Sequence, residues 1–146
     1  MQALDFAKVC HYRGFLKPAV NFYQKAFASE PQRAVTFDLH QAVCAEIQLS
    51  TKTRSPLAAK TARQQALEWL RLDLARVDKQ LAVKGYDDAR NWLNRWQSDE
   101  TLKLVRDPEQ LAKLPDDEKV AWTQYWADIQ ERSAKLLKPE PKEVSQ

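Results

Sequence analysis

Glycine is almost missing from this chain: its 146 residues contain two, Gly14 and Gly85. A loop that cradles phosphates needs several glycines to let the backbone approach, so nucleotide chemistry of the P-loop or kinase type is excluded for this sequence. The catalytic His-Arg-Asp and Asp-Phe-Gly signatures and the GxSxG elbow do not occur either. Cysteine is equally scarce. Cys10 and Cys44 form no CxxC, and each sits in an apolar helical pattern, as small buried hydrophobes do in a reducing compartment. No apolar run approaches the roughly 20 residues that span a bilayer, and Asp5 and Lys8 interrupt the N-terminal apolar pattern where a signal peptide would need continuity. The expectation is a cytoplasmic protein without a membrane span.

Runs of alternating β-branched residues are also lacking, whereas Ala, Leu, Gln, Lys and Arg are abundant, which predicts an all-α protein. With 44% hydrophobic and 29% charged residues the chain can build one real core and stay soluble. Its net charge of +3 is uneven: residues 1–65 hold nine Lys/Arg against four Asp/Glu, and the rest fourteen against sixteen. The excess gathers at Lys52, Arg54, Lys60 and Arg63. A solvated linker and helix start is the preferred reading of that segment, and binding to nucleic acid or an anionic surface the weaker one.

A shift of 34 residues lays Cys10 on Cys44, Val9 on Val43 and Ala3 on Phe37, so the first fifty residues repeat one helical unit. Helix one is predicted from about Ala3 to Arg13, followed by a Gly14 turn, and helix two from about Lys17 to Ser29, with Pro18 in its first turn. In this hairpin Phe6, Ala7 and Cys10 should face Ala19, Tyr23 and Ala26, with Phe27 sealing the next junction. Helix three, about Ala34 to Leu49, places Phe37, Gln41 and Cys44 where Ala3, Ala7 and Cys10 stood. A loop over 50–56 then delays a long helix carrying Leu57, Ala62, Ala66, Trp69, Leu70, Leu74, Val77 and Leu81. Gly85 should end it. Asp87 or Asp88 caps a helix with Trp92, Leu93 and Trp96, and the acidic start at Asp116, Asp117 and Glu118 opens a last one with Trp122, Tyr125, Trp126 and Ile129. The organisation expected is a first hairpin over 1–33, a second, stretched one over 34–84, capping helices over 85–137 and a disordered tail over 138–146.

Phe6, Ala7, Cys10, Ala19, Tyr23, Ala26 and Pro31 occupy the small, bulky and proline positions of a tetratricopeptide repeat, which the first copy resembles. Ala3 and Cys10 depart from it, standing where tryptophan and tyrosine are common. Downstream, Arg63-Gln64-Gln65-Ala66-Leu67-Glu68-Trp69-Leu70, Trp96-Gln97-Ser98-Asp99, Val105-Arg106-Asp107-Pro108 and Trp126-Ala127-Asp128 occur in an order similar to the C-terminal repeat region of planctomycete-type multidomain proteins, many of them serine/threonine kinases. The resemblance implies a short α-solenoid of antiparallel hairpins with a tryptophan-rich cap. It also implies a non-enzymatic module that binds a peptide or partner domain and regulates or targets a kinase. The alternative is a structural cap of a longer repeat array with no foreign ligand.

In such an array the inner face comes from the first helix of each pair, which here offers Leu4, Lys8, His11, Tyr12, Asp38, Ala42 and Glu46 as candidate partner-binding residues. A merely solvated face is the competing reading. Cys10, His11, His40 and Cys44 are the only soft-metal set, yet the cysteines occupy packing slots and His11 points about 100° away from Cys10 around the helix, so no metal or other cofactor is expected. Singly scattered carboxylates supply no acid/base pair. The five tryptophans, four of them paired at a spacing of four as Trp92/Trp96 and Trp122/Trp126, read as core before they read as a peptide-binding surface.

Overall fold

In the computed structural model, which describes residues 2–83 and 86–136, every regular element is helical. The elements are α1 (Ala3–Tyr12), α2 (Leu16–Ser29), a single 3-10 turn at Pro31–Arg33, α3 (Thr36–Lys52), α4 (Pro56–Val83), α5 (Tyr86–Ser98), α6 (Lys103–Arg106), α7 (Pro108–Leu111) and α8 (Asp116–Leu136). The chain divides into two compact units, Met1–Asp73 and Leu74–Gln146. The expected helix stop at Gly85 and the expected tail over 138–146 lie outside the described residues.

In the first unit α1 begins with the Gln2 backbone N–H donating to the Asp5 carboxylate at 3.2 Å, an acid placed at the positive end of the helix dipole. It ends at a turn where Gly14 takes φ +79°, a left-handed conformation that costs a side-chain-bearing residue about 1 kcal/mol. The chain reverses there, and α2 packs along α1 and then against α3. Ala7, Ala19 and Tyr23 are wholly buried, so small residues let α1 and α2 approach while the tyrosine fills the space between. Phe6 instead stacks on Phe22 at 5.3 Å and stays partly exposed. Phe27 meets Trp69 of α4 edge to face at 5.4 Å.

The interruption after α3 is shorter than 50–56. Ser50 Oγ donates to the Ile47 carbonyl at 2.6 Å and Thr51 Oγ1 to that of Gln48 at 2.8 Å, so two residues that compete with helices from solvent here bond back to one and prolong it to Lys52. Ser55 then caps α4, its Oγ accepting from the Ala58 N–H at 3.1 Å, with Pro56 at the first helical position. The second copy also departs from the first. Phe37 is 53% exposed and Gln41 half-buried, whereas Ala7 of the first copy has no accessible surface.

The second unit is built around tryptophan. α5 and α6 both pack on α8, and Trp96, Trp122, Tyr125 and Ile129 are buried among Leu93, Leu102, Val105 and Leu136. Trp126 Nε1 donates to the Val105 carbonyl at 2.8 Å, which anchors α6 to α8. The Arg106 guanidinium donates to the carbonyls of Trp96 at 3.2 Å and Asp99 at 3.0 Å and lies over the Trp126 ring at 5.8 Å. Arg132 grips Asp78 through two bonds of 3.0 Å, tying the last helix to the end of α4. The tryptophans are therefore mainly core: Trp69, Trp96 and Trp122 are buried, and Trp92 and Trp126 half-buried.

Candidate functional site

α1 and α3 of the first unit flank a cleft of about 380 Å³ lined by Lys8, His11, Tyr12, Tyr23, Phe37 and Gln41. Three of these, Lys8, His11 and Tyr12, were expected from the sequence on the inner face. Tyr12 follows the last buried residue of α1 by five positions and projects 93% exposed, while Phe37 stands in the first turn of α3. Aromatic groups of this kind, held on rigid helices beside a concavity, are what partner segments use as anchors.

Polar groups in the cleft differ in how far their capacity is used. Lys8 Nζ lies 2.9 Å from Asp38 Oδ1, so its charge is matched within the protein. His11 Nε2 shares a hydrogen bond of 3.1 Å with Gln48 Oε1, and the His11 ring meets Tyr23 edge to face at 6.2 Å. The Tyr23 hydroxyl is buried with no hydrogen-bond partner among the described residues. Burial first, and then the negative charge of Asp38, holds this phenol well above its usual range, so it stays a neutral donor at every physiological pH. With no accessible surface, this hydroxyl belongs to the packing behind the cleft wall and not to the surface that a ligand would touch.

The remaining candidates lie elsewhere. Leu4 and Ala42 are buried and present almost no surface, and Asp38 is largely covered behind Lys8. Glu46 is also buried, at 2% exposure, but it lines a different cleft and accepts a 2.9 Å hydrogen bond from Gln24 Nε2 of α2. Phe37, Gln41, Gln48 and Tyr23 were not named from the sequence as binding residues. The repeat template had assigned Phe37, Gln41 and Tyr23 to hairpin packing, and only the exposure of Phe37 signals otherwise. Cys10 and Cys44 are not disulfide-bonded, and among the described residues Cys10 and His11 do not join His40 and Cys44 in one ligand set. Of the basic segment, Lys52 and Arg54 are exposed and Lys60 and Arg63 half-buried.

No protein-family model, no curated protein and no solved structure matches this chain. Among the described residues, no helix is long and apolar enough to cross a membrane.

Proposed function

We propose that this chain is a non-enzymatic, cytoplasmic interaction module of tetratricopeptide type that holds a peptide segment of a partner protein in the α1/α3 cleft. The observation that carries the reading is the cleft itself, with exposed Tyr12 and Phe37 on its walls. The 34-residue shift and the α1–α2–α3 packing support the repeat assignment. On this reading the peptide lays an apolar side chain between the two aromatics. A kinase-containing parent protein is the context that the sequence resemblance suggests. The tryptophan-rich second unit favours a second reading, a structural cap of a longer array, because Trp96 and Trp122 use their surface entirely for internal packing.

The test is selection of binding peptides from a displayed random library, followed by titration of the best binder against Tyr12→Ala combined with Phe37→Ala. Truncating two anchors at about 1 kcal/mol or more each weakens binding by tenfold or more. Unchanged affinity in a variant with the native circular dichroism spectrum sinks the proposal. Tyr23→Phe separates stability from function at the same place. Removing a buried, unpaired hydroxyl should leave the protein as stable or raise its stability by about 1 kcal/mol in urea titration, while peptide affinity, which rests on Tyr12 and Phe37, stays unchanged. Marked destabilisation would show that the hydroxyl is already satisfied in the native state.

A further inference from the structure

A second cleft of the first unit, about 580 Å³, opens between α2 and α4 with α3 beneath it. Its apolar walls include Val20 of α2, Leu49 of α3 and Ala58 and Ala62 of α4. Glu46 lines it from α3, 98 parts in 100 of its surface removed from solvent, and Glu68 stands exposed on α4. Gln24, Gln64, Gln65 and Thr61 add neutral oxygens. Lys17 at the start of α2 is the one cation among the lining residues.

A carboxyl set this deep is unusual, because burying an acid costs free energy unless something repays it. Gln24 satisfies one lone pair of Glu46 Oε1, and a carboxylate has room for about three more partners. The apolar walls suit a methylene stem, and the floor suits its cationic end.

From this geometry we infer that the α2/α4 cleft binds an alkylammonium group, its carbon chain lying along Val20, Leu49 and Ala62 and its NH3+ reaching Glu46, with Glu68 assisting from the rim. The chemistry is that of a lysine side chain or of a free aliphatic amine. The cleft lies on a different helix pair from the peptide cleft proposed above and does not depend on it. Burial pushes the Glu46 carboxyl up to about 7 despite the opposing hydrogen bond from Gln24, so near neutrality the acid is half-protonated when the cleft holds no cation. Binding of a cation favours the ionised form and releases a proton. The titratable groups facing the site are Lys17, from α2, and Glu68, from α4.

The experiment titrates the intact chain with n-butylammonium, with acetyl-Ala-Lys-Ala-amide and with the neutral norleucine analogue of that peptide, following the side-chain amides of Gln24 and Gln65 by NMR. Both cations should bind more tightly at pH 8 than at pH 6 by about tenfold, the change in the ionised fraction of a group titrating near 7, and the neutral analogue should not follow. Glu46→Gln, isosteric and still able to accept from Gln24, should abolish the pH dependence and weaken binding at pH 8 by tenfold or more. Glu68→Gln, at an exposed position that leaves folding alone, should weaken it two- to threefold. Tighter binding of the peptide than of n-butylammonium assigns the site to a lysine of a partner chain, and equal binding assigns it to a free amine. Binding of the neutral analogue as tightly as the cations, or wild-type affinity in Glu46→Gln, overturns the inference.

Discussion

Trp122→Ala should unfold much of the second unit. The indole is 1% exposed on α8 and meets Tyr125 edge to face at 6.3 Å, and deleting a buried tryptophan costs about 3–5 kcal/mol through lost transfer energy and the cavity left behind. Small domains are stable by only about 5–15 kcal/mol in total, so a loss of this size consumes a large part of the reserve. Guanidinium titration followed by far-ultraviolet circular dichroism should show the midpoint falling steeply, and hydrogen exchange should locate the new opening in α5, α6 and α8. Trp126→Phe offers the contrast. It keeps most of the ring but deletes the Nε1 bond to the Val105 carbonyl, which costs about 1–2 kcal/mol because a backbone acceptor is left unpaired. If Trp122→Ala proved no more harmful than Trp126→Phe, α8 would not be the centre of this unit's core.

Glu46→Gln should make the protein more stable in base and change nothing in acid. Burial raises this carboxyl to about 7 against an ordinary value of 4.5, so between those two values the folded chain holds a proton that the unfolded chain has released. Stability linked to that proton is complete below pH 4.5 and is lost as the pH rises through 7. Above pH 7 the native state must carry a buried anion, at a cost on the order of a few kcal/mol. The amide carries no such charge and keeps the acceptor for Gln24. Urea titrations of both proteins should therefore give overlapping curves at pH 4.5 and a difference of about 1–3 kcal/mol in favour of the variant at pH 8. Parallel stability profiles across that range would contradict the buried position of Glu46.

The helical class was legible in composition and periodicity, since the few glycines, the abundant Ala, Leu, Gln and Lys and the recurrence of apolar residues every three to four positions leave no room for a sheet. The hairpin of α1 and α2 was legible in Gly14 and in the small residues Ala7 and Ala19, because close backbone approach requires them. The tryptophan core was legible in the four-residue spacings within α5 and α8. Lys8, His11 and Tyr12 could be placed on one face by helical geometry alone, and all three line the α1/α3 cleft.

The roles of Phe37, Tyr23 and Glu46 could not be read that way. A repeat template treats equivalent positions as equivalent environments, yet Phe37 stands where Ala3 stood and is half exposed. The unpartnered hydroxyl of Tyr23 depends on which neighbours surround an otherwise ordinary core aromatic. Glu46 was expected on the solvent-facing inner face beside Asp38, and its burial arises only because α2 supplies Gln24 and α4 closes over one side. By itself the sequence determined which segments are helical and which of their faces are apolar, since these follow from local periodicity and turn chemistry. Only the tertiary structure decided which polar groups lie in clefts and which are spent on each other, because desolvation and hydrogen bonding depend on residues that are distant in the chain.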